Sequence, residues 1–234
     1  MYVLLFNRYE LIQIINLPAR TDRRREMERE LARFDLLHDP RVTFFDALTF
    51  STPEPFSRVG SKGAFHSHLQ VLKEASEAGK SVLVLQDDCD FLPEVSTFSP
   101  QADTDIFYGG FEASNPDDLH KSCIIGAHCM GFSAKAARKA ASYLTEYLTP
   151  SFPPDPEAAA DPNFNPWIRP PIDGALVWFR RKHPELHTEF KLLSVQRSSR
   201  SDIGQNRFRD RVWGLHHFIQ FERRLRRNLL KQKS

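Results

Sequence analysis

Two kinds of apolar spacing alternate along the chain. Leu11-Ile-Gln-Ile-Ile15 and the Val82-Leu-Val-Leu85 run are short and nearly continuous, the pattern of strands buried on both faces, and Arg41-Val-Thr-Phe-Phe45 reads as another strand. Between them apolar residues recur at helical spacing, first Met27, Leu31, Phe34 and Leu37, then Phe65, Leu69 and Leu72. Gly60-Ser-Lys-Gly63 opens the second of these helices and Gly79 stops it, directly before the 81–86 strand. Further on, Asp105-Ile-Phe-Tyr108 predicts a strand closed by Gly109-Gly110, and Cys123–Gly126 and His128–Phe132 predict more extended chain. Ser133 caps a helix carrying Ala137, Ala140, Ala141, Leu144 and Leu148. Asp173 begins a helix that packs Leu176, Val177 and Phe179, and Phe190–Gln196 is the last strand. Strand, turn and helix in this succession predict an α/β fold.

Two stretches break the alternation. Thr149–Pro171 holds eight prolines in 23 residues, which excludes a regular element and leaves a lid, a binding loop or a disordered insertion. Trp167 within it is either a sugar platform or an anchor for the loop. At the other end, Phe218, Phe221, Leu225 and Leu229 repeat at helical spacing among six basic residues and Glu222. Residues 218–234 therefore read as a basic amphipathic helix, either lying on an anionic membrane or glycolipid surface or packed on the domain formed by 1–217.

Composition narrows the partners. A formal net charge of +2 gives no general drive toward nucleic acid, and no basic face interleaved with aromatics is evident. The three cysteines, Cys89, Cys123 and Cys129, lack paired zinc spacing and their odd number favours a reducing compartment. No apolar stretch reaches 18 residues, and Tyr2–Phe6 is too short for a signal segment. The expectation is a cytoplasmic protein, or one peripheral at the inner face of a membrane.

The candidate chemistry gathers where the 81–86 strand ends, at Gln86-Asp-Asp-Cys-Asp90. Ligands of open α/β sheets collect at the carboxyl ends of strands, and three carboxylates on one turn repel unless a cation joins them. Hard divalent ions prefer such oxygens, so the turn reads as a metal site or, more plainly, as a solvated turn or helix cap. After the first strand, Asn16, Arg20 and Arg23 stand near a strand end and a helix N-terminus, where guanidinium and backbone N–H groups can hold a diphosphate. Arg24 and Arg25 belong to a salt-bridged helix face. Ser67 and His68, in the first turns of their helix, are either structural or on the substrate side. Asp173 is either a helix cap or a carboxylate offered to an acceptor hydroxyl.

In this order the pieces resemble glycosyltransferase family 25, which includes lipooligosaccharide galactosyl- and glucosyltransferases and collagen galactosyltransferases. The resemblance is carried by Ile15-Asn16-Leu17 with Asp22-Arg23, Gly63 with Ser67-His68, the Val-Leu-Val-Leu-Gln-Asp-Asp stretch, and Asp105–Gly109. It continues through Gly126 with His128, Ser133 with Ala136, Pro171-Ile-Asp173 and Ser201-Asp202-Ile203. Gln86 stands where the family has Glu, Ala64 where it has Cys, and Met130 where an aromatic is usual. The resemblance implies a GT-A-like (Rossmann-type) mixed sheet flanked by helices and inverting transfer of a hexose, galactose or glucose, from a UDP-sugar to a saccharide or glycolipid acceptor. It implies Mn²⁺ or Mg²⁺ on Asp88 and Asp90, with donor contacts from Asn16, Leu17, Arg20, Arg23, Ser67, His68 and Asp87. Asp173 is the expected general base and Glu112 the second candidate. Two other classes stay open: a non-catalytic nucleotide-sugar or glycan binding protein, supported by Gln86, and a metal-dependent nuclease, disfavoured by the near-neutral charge.

Overall fold

A computed structural model describes residues 4–162 and 164–197. The Ser201-Asp202-Ile203 motif and the basic helix expected at 218–234 lie outside the described residues. In chain order the first half comprises α1 (Leu4–Asn7), β1 (Leu11–Asn16), α2 (Thr21–Ala32), β2 (Val42–Asp46), α3 (Val59–Ala78), β3 (Val82–Gln86) and β4 (Cys89–Phe91). After a 3₁₀ turn at Pro93–Ser96 come β5 (Ile106–Tyr108), β6 (Glu112–Ala113), β7 (Ile124–Ile125), β8 (Cys129–Phe132) and α4 (Ala134–Tyr147). The remaining elements are α5 (Pro156–Ala159), α6 (Ile172–Lys182), β9 (Thr188–Phe190) and β10 (Ser194–Gln196).

Six strands form one mixed sheet in the order β2-β1-β3-β8-β5-β9. The β1 strand pairs in parallel with β2 and β3, and β5 with β9, while β8 runs antiparallel to both of its neighbours. Alternate residues feed two cores. Val82, Val84, Met130 and Phe132 meet the face covered by α3, α4 and α6; Leu83, Leu85 and Cys129 meet the face that also takes Met27 and Leu31 of α2. The continuous Val/Leu run of β3 is fully buried because both faces are covered. Each such side chain contributes about 1.5–3 kcal/mol when it leaves water. The expected α/β sheet flanked by helices is thus observed, and no helix among the described residues is long and apolar enough to cross a membrane.

Local signals explain most boundaries. Ser133 Oγ accepts the N–H of Ala136 and starts α4, while Gly79 ends α3 in the left-handed region at φ 67°. Phe190–Gln196 is not one strand but two, β9 in the main sheet and β10 paired antiparallel with β4. Leu37, read as the last apolar position of the first helix, lies beyond α2 and is exposed.

The proline-rich stretch, expected to hold no regular element, carries the one-turn helix α5, which Pro156 can open because Asp155 caps it, and the stretch is tied down at several points. Phe164 packs beside Trp178, and Tyr147 donates its hydroxyl to the Pro170 carbonyl at 3.0 Å. Arg169 donates from its backbone to Pro55 O at 2.8 Å and from its guanidinium to the carbonyls of Thr149 and Phe152. The anchor is therefore Arg169, not Trp167, which is 86% exposed.

The loop after β2 is held against α3 by close approach. Leu48 donates its N–H to Ser67 Oγ at 2.9 Å, and a Cβ on Gly63 would fall 2.6 Å from the Leu48 carbonyl oxygen. Gly63→Ala should therefore destabilise the fold by about 1–3 kcal/mol, because backbone must move. Urea unfolding checks this, and an unchanged midpoint would show that the loop yields without cost.

Candidate active site

The antiparallel setting of β8 decides what shares the working edge of the sheet. The carboxyl ends of β1, β2, β3, β5 and β9 lie on one side, and the amino end of β8 joins them there. This brings together Asn16, the Asp87-Asp88 turn, Gly109-Gly110 and His128. Gln86 donates its N–H to His128 O at 3.0 Å, which fixes His128 directly opposite the last residue of β3.

The acidic turn is neutralised from two directions. Asn16 Nδ2 donates to Asp87 Oδ2 at 2.7 Å, and Arg23 Nη1 donates to Asp87 Oδ1 at 3.0 Å. The same guanidinium nitrogen lies 3.4 Å from Asp88 Oδ2, which also accepts from Gln196 Nε2 at 3.1 Å. Asp90 belongs to β4 rather than to the turn, and Arg197 grips both of its oxygens while reaching Glu26 Oε2 at 2.7 Å. Burial nevertheless raises the Asp87 carboxyl above its ordinary range, against the pull of Asn16 and Arg23.

This arrangement reassigns several residues singled out in the sequence. Asn16 and Arg23 hold the acid turn, where a diphosphate contact was expected. Arg20, half-buried, donates to Asp22 at 2.8 Å, and the half-buried Leu17 gives its carbonyl to the Arg20 N–H. Ser67 is fully buried, donating to Gly63 O at 2.7 Å and accepting from Leu48. His68 is 1% exposed, with Nδ1 2.9 Å from Ala64 O and Nε2 3.2 Å from Ala127 O. Both side chains are therefore internal supports for the edge rather than groups presented to a substrate. Asp90, expected beside Asp88 as a metal ligand, lies on β4 with Arg197 on its carboxylate. Among the described residues no group of three His, Cys, Asp or Glu has metal-binding geometry.

Asp173 does reach the edge. It sits in the first turn of α6, after Pro171 at the cap position, so it is not the cap. Its Oδ2 accepts the Gly126 N–H at 3.0 Å, and Gly126 takes φ 115°, a conformation suited to glycine. Arg180 on the same helix donates to the carbonyls of Leu119 and Ser122, fixing the loop that leads to β7. Glu112 is exposed on β6, in the separate β6-β7 ribbon.

The residue that sequence reasoning missed as a site group is His128, read only as the start of extended chain and as part of the family pattern. It is 5% exposed, and its imidazole lies against the Ser194 backbone, in the field of Asp88 and Asp173. Asp88 Oδ1 is buried without a hydrogen-bond partner. A buried polar group left unsatisfied costs about 1–3 kcal/mol, so the edge carries a local deficit that a ligand can relieve. The available signal was the His immediately after Gly126-Ala127, but strand direction, which places it on this edge, is not written in the apolar spacing.

No protein-family model matches the chain, and no curated protein matches it. Among solved structures it is similar to a glycosyltransferase involved in glycosylation of the major capsid of PBCV-1, at 12% identity over 81% of this chain and 94% of that one, with a TM-score of 0.45. It is also similar to the apo form of mouse xyloside xylosyltransferase 1, at 15% identity over 81% of this chain and 77% of that one, with a TM-score of 0.40.

The two buried histidines set an acid limit on the fold. Burial lowers the pKa of both His68 and His128 below the ordinary 6.5, although nearby carbonyls and, for His128, Asp88 and Asp173 pull the other way. The folded protein then binds fewer protons than the unfolded chain just below that value. Stability should be fully present above about pH 6.5 and fall as the pH drops through it. Urea midpoints across this range should decline less steeply for His68→Gln and His128→Gln, and an unaltered slope in both would place the acid sensitivity elsewhere.

Proposed function

We propose that this chain is an inverting, GT-A-like glycosyltransferase that moves a hexose from a UDP-sugar to a saccharide acceptor. One observation carries the reading: Asp88, with a buried unpartnered oxygen at the carboxyl end of β3, shares its sheet edge with Asp173, brought from far along the chain by α6. That separates the two tasks of group transfer. One end of the site meets the charge developing on the leaving diphosphate; the other takes the proton from the attacking hydroxyl. Asp88 would serve the leaving diphosphate only through a cation that it held, whereas Asp173 can take the proton directly.

Asp173 is the base in this reading. The Gly126 N–H holds one oxygen and fixes the direction of the other, and Arg180 secures the loop behind it. The acceptor hydroxyl attacks the anomeric carbon as its proton passes to Asp173, and the bond to the UDP β-phosphate oxygen breaks, leaving UDP. Glu112 stays the second candidate for the base. The fit of the divalent ion expected on this edge is divided: Asp88 offers a free oxygen, whereas Asp90 is occupied by Arg197. When bound at Asp88, a metal supplies positive charge to the diphosphate.

The alternative is a nucleotide-sugar or glycan binding protein without turnover, which Gln86 favours because it removes a carboxylate from the turn. UDP release from a panel of UDP-sugars, with acceptor and divalent ions present, separates the two. Transfer should vanish in Asp88→Asn with the far-ultraviolet circular dichroism unchanged. Asp173→Asn should lower kcat by about 10²–10⁴-fold while the donor still binds. Binding of UDP-sugars with no release under any metal would establish the non-catalytic reading, and full turnover in Asp88→Asn would remove Asp88 from the chemistry.

A further inference from the structure

The tip of the proline-rich stretch carries an aromatic ring that the fold does not use. Trp167 is 86% exposed, although aromatic side chains bury about 150–250 Å² each where a fold covers them. The backbone beneath the ring is nevertheless fixed. Asn165 Oδ1 accepts the Trp167 N–H at 2.9 Å and Asn165 O accepts the Ile168 N–H at 3.2 Å, closing a turn that Pro166 stiffens. On one side of this turn Phe164 packs beside Trp178 of α6; on the other the Arg169 N–H is held by Pro55 O at 2.8 Å. A ring presented on a turn anchored at both ends has little backbone freedom left to lose when something binds it.

The surroundings narrow what that partner can be. Residues 149–171 carry Asp155, Glu157 and Asp161 against the single Arg169, an excess of negative charge that an anionic lipid surface would repel. Among the described residues of the stretch, Ile168 is the one other large apolar side chain that is exposed, so the patch falls far short of the roughly 800 Å² per partner that a stable protein interface takes. One indole fits one neutral, flat molecular face of similar size. A pyranose ring offers such a face: its axial C–H groups carry partial positive charge toward the negative face of the indole while its hydroxyls stay in water.

Position relates the ring to the sheet edge. Trp167 precedes Asp173 by six residues, a span of at most about 22 Å, with Pro170-Pro171 stiffening the chain between them. Asp173 is half-buried, so Trp167 stands outward of it on the same anchored segment. We propose that Trp167 is a stacking platform for a saccharide, and that it takes a sugar ring other than the one whose hydroxyl meets Asp173, which makes the acceptor an oligosaccharide rather than a single sugar. The role of acceptor rests on the transfer reading above, whereas the stacking contact stands without it.

The test uses the full chain labelled with ¹⁵N at tryptophan, whose indole N–H resonances come from Trp167, Trp178 and Trp213, with Trp167→Phe assigning the first. The probes are methyl galactoside and methyl glucoside, the methyl glycosides of lactose, cellobiose and maltotriose, and vesicles of phosphatidylcholine with phosphatidylglycerol. The Trp167 resonance should shift with at least one of the oligosaccharides, much less with the methyl monosaccharides, and not with the vesicles. Trp167→Ala should keep the wild-type urea midpoint, since it removes no buried contact. In transfer assays it should raise the KM of an oligosaccharide acceptor by about three- to tenfold, with the loss in KM rather than kcat and most of it recovered in Trp167→Tyr. No response of Trp167 to any oligosaccharide, an equal response to single sugars, or a response to vesicles alone would each overturn the platform. A shifted Trp167 with no UDP release from any UDP-sugar would keep the platform and remove the transfer; transfer with an unchanged acceptor KM in Trp167→Ala would do the reverse.

Discussion

Burial of like charge is the constraint around which this sheet edge is arranged. Asp87 and Asp88 are adjacent and each 6% exposed, so neither can rely on water to separate its charge from the other's. Arg23 answers from the first turn of α2, spanning both carboxylates, and Asn16 completes the shell of Asp87 from the end of β1. The strand-turn-helix unit at the start of the chain is therefore fastened to β3 by charge as well as by the ladder between β1 and β3. A buried pair of this kind says little about net stability, but removal of one member leaves a charge stranded.

The periodic parts of the fold could be read directly. The β1 and β3 runs, the Met27 and Leu31 face, the Ser133 cap and the Gly79 stop each follow from a local rule with a single physical cause. Asp173 was identifiable as a residue of interest because it opens an apolar helix, although the cap role fell to Pro171. What could not be read were relations between distant segments. The spacing of His128–Phe132 indicates a strand without indicating its direction, and direction alone puts His128 at the working edge instead of the opposite one. Nor does any local pattern show that Gln196 and Arg197 return to Asp88 and Asp90, more than 100 positions earlier.

The same limitation accounts for the reassigned residues. Asn16, Ser67 and His68 lie close to the edge, as expected, but their polar atoms are consumed by the frame: Asp87, Leu48, and the carbonyls around Ala127. A polar residue near a site has two competing uses, and burial decides between them. Supporting residues of this kind matter to chemistry through position, since a displacement of about 1 Å in a catalytic group can cost about 100-fold in rate.

Arg169 has a consequence for how the chain can vary. Standing near the end of the stretch from Thr149 to Pro171, it draws that end to the start by donating from its guanidinium to the carbonyls of Thr149 and Phe152. Closure of the stretch is thereby made independent of what lies between those points, since the cost of a loop grows only slowly with its length. Between those points Asp155 and Glu157 pair with Arg181 and Phe164 packs beside Trp178, so the part left to vary is the exposed tip around Trp167 while the rest is bound to α6. Variation is thereby steered to one short exposed segment, while the residues that fasten α6 are held to their kind.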